Sequence, residues 1–200
     1  MKIEYKDIIL RDMTEADIED EIRWNTTETD WAHWDAPWES EPDLLTFNPD
    51  EHRKKAFERL AEPKDEIRWR FEIETKDGNH IGTVSSYMID GDFCWIPLSE
   101  AKPGKPLFRA VGLSICESSF CGKGLGTKAL AAFISYYFEN GEKEIYCQTW
   151  SGNIRMIKCA EKLGFEVCRR KIGYREVHGE KFDGLTFRLN KEKFYNCFNE

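Results

Sequence analysis

The sequence predicts an α+β domain in which strands and helices share one chain. Three observations carry this. Ile67, Trp69, Phe71 and Ile73 fall on every second position, the period of a half-buried strand. Asp77-Gly78-Asn79 follows as a hairpin turn, and residues 81–89 read as the returning strand. Apolar residues at 129, 130, 133, 134 and 137 give residues 127–140 the stripe of a helix, ending at Asn140-Gly141.

The remaining elements follow in order. Ile8-Ile9-Leu10 reads as a first strand. Thr14 in N-cap position, with Asp17 three residues on, opens a helix to about Trp24. Residues 25–49 read as irregular and aromatic, with Trp31, Trp34 and Trp38 among Pro37, Pro42 and Pro49. A second helix begins near Pro49-Asp50 and runs to about Ala61, with an early proline and acids in its first turn. Residues 67–75 are the alternating strand. Residues 90–107, rich in glycine and proline, are a loop, and residues 110–116 another strand. Gly122-Lys123-Gly124-Leu125-Gly126 is a glycine-rich turn before the striped helix. Residues 144–150 form a strand, and Asn153 caps a helix to Leu163 that Gly164 stops. Strands at 165–172 and 185–189 close the chain, with residues 175–183 as a turn between them.

Composition narrows the class. The 200 residues are 40% hydrophobic and 33% charged, which excludes a disordered, collagenous or coiled-coil chain. No apolar run reaches the ~20 residues of a membrane span, and the N-terminus lacks a signal-peptide core, so the expected location is cytoplasmic with no membrane partner. Seven cysteines without a C-x-x-C pair, and four scattered histidines, predict reduced thiols and no metal site. The net charge of −8 argues against nucleic acid. That charge is unevenly spread. Residues 12–51 hold fourteen acids and one base, Arg23, a net −13; the other 160 residues hold 28 bases and 23 acids, a net +5. Such segregation suits a cation at one place and an anion at another, or two acidic surface helices.

A strand, a glycine turn and a helix together can bind phosphate. First-turn amides of a helix lack intrahelical acceptors, the dipole adds positive potential, and glycines admit a close approach. Lys123 and Lys128 add charge. A tight turn that holds nothing has the same pattern. The Walker A spacing is absent, and the dinucleotide fingerprint G-x-G-x-x-G is not matched by G-x-G-x-G.

Cys121-Gly122-Lys123-Gly124-Leu125-Gly126 resembles the acetyl-CoA pyrophosphate loop of the GCN5-related N-acetyltransferases (GNAT), Q/R-x-x-G-x-G/A. Residues 153–165, where Asn153 opens a helix ending in Glu161-Lys162-Leu163-Gly164-Phe165, resemble that family's second signature. The order of elements over residues 1–190 is similar as well, nearest the branch that modifies ribosomal-protein N-termini, polyamines and aminoglycosides. The resemblance implies a single domain over 1–200, with an acceptor-side segment at 12–63 and an acetyl-CoA-binding core at 108–190. It implies a mostly antiparallel sheet flanked by helices, with two parallel strands (110–116 and 144–150) splayed apart around the pantetheine arm.

The same resemblance implies site residues. Backbone groups of Ser114, Ile115 and Cys116 would bond the pantetheine and polarise the thioester. Cys121, Gly122, Lys123, Gly124, Leu125, Gly126 and Thr127 would hold the pyrophosphate, and Asn153 would face the cofactor arm. Two positions depart from the family pattern. Cys121 replaces Arg or Gln, and Ala160 stands where many members place a Tyr general acid. Ser151 is then the candidate acid and Glu117 the candidate base, unless Glu117 is an exposed loop carboxylate. Trp31, Trp34, Asp35, Trp38 and Glu39 would bind a cationic acceptor through carboxylates and indole faces, or pack against helices. The implied reaction is acetyl transfer from acetyl-CoA to a primary amine of an aminoglycoside- or polyamine-like molecule. The alternatives are a protein N-terminal acetyltransferase and a non-catalytic acyl-CoA sensor. The expected state is a monomer or homodimer.

Overall fold

A computed structural model describes residues 1–198; residues 199 and 200, the end of the expected domain span, lie outside the described residues. Among the described residues there are eight strands and six α-helices: β1 (Lys2–Tyr5), β2 (Ile8–Arg11), α1 (Asp17–Trp24), α2 (Pro37–Thr46), α3 (Pro49–Ala61), β3 (Arg70–Thr75), β4 (His80–Asp90), β5 (Leu107–Ile115), α4 (Leu125–Glu139), β6 (Ile145–Trp150), α5 (Ile154–Lys162), β7 (Phe165–Val177), β8 (Glu180–Leu189) and α6 (Lys191–Phe198). The chain divides into two compact units, Met1–Val84 with Leu113–Ala129 and Ser85–Gly112 with Leu130–Glu200.

In the first unit the strand order is β1-β2-β3-β4-β5. β1 and β2 pair antiparallel, Ile3 facing Leu10, and β2 and β3 pair antiparallel, Leu10 facing Ile73. Ile8, Leu10, Ile18, Phe71, Ile73, Ile81 and Val84 are buried as its core. α1 starts at Asp17, later than the Thr14 cap predicts. The Asp17 carboxylate reaches back to the Thr14 N–H (2.6 Å) and hydroxyl (2.9 Å), so the carboxylate half of the expected capping box forms. α3 matches its expected limits, and the Asn48 side chain caps it by accepting from Asp50 and Glu51.

In the second unit the order is β4-β5-β6-β8-β7. β5 and β6 run parallel, with Arg109 facing Ile145 and Ala110 facing Tyr146. β6 with β8 and β7 with β8 are antiparallel. Leu130, Phe133, Ile134, Tyr137, Ile145, Cys147 and Phe187 are buried together with Phe194 of α6. The sheet is therefore mixed, with four antiparallel pairs among those described and β5 and β6 parallel, as the resemblance implies.

Several elements differ from the sequence reading. Residues 37–46 form α2 instead of irregular chain: Pro37 takes the first helical position, where its missing N–H costs nothing, and Pro42 interrupts the ladder once inside it. The strand expected from residue 67 begins at Arg70, leaving Ile67 and Trp69 largely exposed. The last two strands extend to meet at His178-Gly179, where both residues have positive φ. Strand β1, whose four residues alternate polar and apolar, and helix α6 were not expected from the sequence.

Candidate active site

The glycine turn lies between β5 and α4, in the first unit. Gly122 and Gly124 have φ of 74° and 77°, which side chains rarely adopt, and a Cβ added at either would meet nothing within 4 Å. Their outer face is therefore open. A Cβ on Gly126 would instead lie 2.9 Å from Cδ1 of Leu113, so glycine there seats the start of α4 closely on β5. α4 begins at Leu125, two residues earlier than the sequence stripe suggests, and its first-turn amides point out of the helix end. Open amides, a helix dipole and the Lys123 ammonium, 5.2 Å from the Phe120 ring centre, fit an anionic group such as a pyrophosphate. Lys128 is engaged elsewhere, in an ion pair with Asp7 at 2.6 Å. The Cys121 thiol points to the carbonyls of Ile115 (3.8 Å) and Glu117 (3.9 Å).

β4 fixes the end of β5 that leads into this turn. The carbonyl of Ile81 accepts from the N–H groups of Cys116 (2.9 Å) and Glu117 (3.3 Å). Gly82 allows the close approach: a Cβ there would overlap the Ser114 carbonyl oxygen and lie 3.0 Å from Cα of Ile115. Cys116 is buried, and its thiol pKa is pushed up by desolvation and by the charge of Asp35.

The acidic segment divides into two parts. Asp17, Asp20 and Glu21 sit in a largely buried ion-pair network. Arg11 forks onto Asp17 at 2.6 and 2.7 Å. His80 bonds Asp20 and Glu72, each at 3.0 Å, with Asp17 at 3.2 Å from the same ring nitrogen as Asp20. Glu21 accepts from Arg59 (2.9 Å), His52 (2.9 Å) and Arg70. Burial would raise the Glu21 pKa; the His52 hydrogen bond and the charges of Arg70 and Arg59 instead bring it down to about 2. Burial works against a charged His80, yet Glu72, Asp17 and Asp20 raise its pKa. Asp17, Asp20 and His80 bring ligand-type atoms within 4.8 Å of one another. The forks from Arg11 and Arg23 and the Glu72 contact already occupy these groups, so the arrangement reads as an ion-pair network.

The later acids are different. Among the described residues, Glu28, Asp30, Asp35, Glu39 and Asp43 have no cationic partner. Asp35 approaches the end of β5: the Ser114 hydroxyl donates to its Oδ2 at 3.1 Å. Asp35 is open to solvent, but the protein around it desolvates its carboxyl and raises its pKa. The Ser114 hydrogen bond opposes that rise, and the Glu39 charge reinforces it.

Trp31, Trp34 and Trp38 are each partly exposed. The Trp31 indole donates to the Trp24 carbonyl (2.7 Å) and the Trp38 indole to Glu39 (2.9 Å). Trp34 and Trp38 have further partners.

Glu117 lies just past β5 and accepts from Arg23 and from the Trp24 indole (2.7 Å). Although burial works the other way, these partners lower its pKa, so the carboxylate is a weaker proton acceptor than a free one. Arg23, the sole base in the acidic stretch, is the residue whose role the sequence left unread. Ser151 and Asn153 belong to the second unit. Ser151 pairs with the Asp183 backbone, its hydroxyl oxygen accepting at 2.9 Å and its own N–H donating at 2.8 Å. Asn153 caps α5 as expected, accepting from Met156 at 2.9 Å, and is itself buried. Ala160 is fully buried and offers no proton.

The chain belongs to the acetyltransferase (GNAT) domain family, whose model matches residues 7–166. It is 35% identical over 97 residues to an aminoglycoside N(6′)-acetyltransferase type 1 of Klebsiella pneumoniae, a match covering 47% of this chain and 46% of that one. The chain thus spans about half the length of the curated relatives it matches. A GNAT-family acetyltransferase from Bacillus anthracis superposes with a TM-score of 0.68 at 14% identity, covering 96% of this chain and 99% of that one. The ribosomal L7/L12 α-N-protein acetyltransferase in complex with coenzyme A gives 0.68 at 15% identity, with 94% and 97% covered. At these identities the likeness is one of fold. Among the described residues no helix is long and apolar enough to cross a membrane.

Proposed function

We propose that the protein transfers an acetyl group from acetyl-CoA directly to a primary amine of a cationic small molecule of aminoglycoside or polyamine type. Family membership supports the reaction, and partial identity to an aminoglycoside acetyltransferase supports the acceptor class. The observation that carries the reading is the 3.1 Å hydrogen bond from Ser114 to Asp35. It brings Asp35, with Glu39 close by, to the strand end that leads into the open glycine turn. An anion at the turn and a cation at Asp35 would then both lie toward the end of β5.

In this reading the amides of Gly122 to Thr127 hold the pyrophosphate of acetyl-CoA, and backbone groups of Ser114 to Cys116 line its arm. When bound, acetyl-CoA supplies an acyl carbon activated as a thioester. Asp35 and Glu39 attract the ammonium, and the partly exposed Trp31 adds a cation–π contact of ~0.5–1 kcal/mol.

The test is incubation with acetyl-CoA and a panel of an aminoglycoside, a polyamine and short peptides, with acetylated products read by mass spectrometry. Acetylation of the aminoglycoside or polyamine is the expected result. Acetylation of peptides alone would move the acceptor to a protein N-terminus. Coenzyme A binding without any acetylated product would replace the enzyme by a sensor.

A further inference from the structure

We propose that Asp35 is the proton acceptor for the attacking amine and that Ser114 positions it; the proposal rests on the acetyltransferase reading above. Two carboxylates lie close to the end of β5. Glu117 is held by Arg23 and Trp24. Asp35 has no cation: one oxygen accepts from Ser114, and among the described residues no donor is recorded on the other. A free carboxylate oxygen, open to solvent and next to the strand, is placed to meet an ammonium.

The backbone holds Asp35 in that position. Its N–H donates to the Trp31 carbonyl at 3.1 Å, and its own carbonyl accepts from the Ser40 hydroxyl. The next residue, Ala36, sits in the left-handed region at φ 47°, a costly conformation for a residue with a Cβ. That turn carries the chain from Asp35 straight into α2. The groups that face the carboxyl are Glu39 from α2 and Ser114 and Cys116 from the β5 end. None carries positive charge, and Glu39 opposes ionisation of Asp35. Such surroundings make Asp35 a stronger base than an ordinary aspartate while Glu39 helps retain the ammonium. In the transfer, the bound ammonium first gives one proton to Asp35 and becomes a neutral amine; the N–C bond then forms as the C–S bond breaks, the electron pair leaves on sulfur, and the second amine proton goes to that thiolate or to solvent.

The experiment compares wild type, Asp35→Asn and Ser114→Ala. The Asp35 carboxyl carbon is followed by 13C NMR titration, identified by its loss in Asp35→Asn. The pH profile of kcat/KM and the acetyl-CoA affinity are measured in parallel. Wild-type Asp35 is expected to titrate above the ordinary aspartate range. Ser114→Ala removes a bond that favours the charged form, so this titration and the acid limb of kcat/KM should both move to higher pH. Asp35→Asn should lower kcat/KM by about 100-fold or more near neutrality, with less loss at high pH, where the amine is already neutral. Its acetyl-CoA affinity should stay unchanged. An ordinary titration of Asp35, or an Asp35→Asn enzyme with an unaltered acid limb, would overturn the proposal. A wild-type protein that acetylates no amine would overturn the acetyltransferase reading and this proposal with it.

Discussion

Replacing Gly82 by alanine should displace the strand that carries Ser114. The new methyl group would overlap the Ser114 carbonyl oxygen and lie 3.0 Å from Cα of Ile115. Both neighbours are backbone, so no side chain can swing aside; β4 and β5 must separate by about 1 Å. The Cys116 N–H to Ile81 carbonyl bond, now 2.9 Å, would then exceed bonding distance, with a net loss of about 1 kcal/mol. Overpacking adds roughly 1–3 kcal/mol. The total, about 2–4 kcal/mol, corresponds to a fall in Tm of roughly 5–15 °C for a chain of this size. The same displacement would break the Ser114–Asp35 bond and lower amine acetylation in protein that is still folded. Thermal unfolding by circular dichroism, with activity measured well below Tm, reads both effects. A Tm within 1–2 °C of wild type, with activity retained, would refute the close strand approach as the determinant of this site.

Other outcomes follow from the same geometry. Gly124→Glu places a carboxylate into the open space of the turn, so acetyl-CoA affinity measured by calorimetry should fall at least ~100-fold through charge repulsion and steric block. Retained affinity would move the pyrophosphate elsewhere. Glu21→Gln should cost about 3 kcal/mol in urea unfolding at neutral pH, the linkage value for a carboxyl held near pKa 2 instead of 4.5. That contribution is complete above pH 4.5 and is lost as pH falls toward 2; a cost below ~1 kcal/mol would contradict it. His80 has a raised pKa, so its stabilisation is complete below about pH 6.5 and is lost as pH rises through the folded-state value. The stability gap between wild type and His80→Gln should therefore narrow with rising pH, and a gap that widens would reverse the assignment of a charged imidazole.

Local signals survived into the structure where a residue's own backbone needs decided the outcome. Asn153 and Gly164 bracket α5 because a cap and a left-handed stop act within one turn of chain. The same holds for Asn48 and α3. Residues 37–46 were hidden because two prolines read as breakers, although a proline at the first helical position loses no hydrogen bond. The last hairpin was read short because its bulged, exposed strand lacks clean alternation. The charge asymmetry was legible as a total, and its division was not. Asp17, Asp20 and Glu21 are neutralised by Arg23 one helical turn on, by Arg59 of α3, and by Arg11, Arg70 and His80 of three strands, partners that tertiary packing largely supplies. The Ser114–Asp35 pair spans 79 residues, and no local pattern encodes it. Asp35 and Glu39 are the part of the later excess that reaches the β5 end without a cationic partner among the described residues.

The most direct test is the ratio of kcat/KM for a polycationic amine to that for a matched monocationic amine, measured with acetyl-CoA at low and high salt. The unpaired acids around Asp35 predict a ratio well above one that falls as salt screens the segment. A ratio near one that salt does not change, or no acetylated product from either amine, would contradict the account.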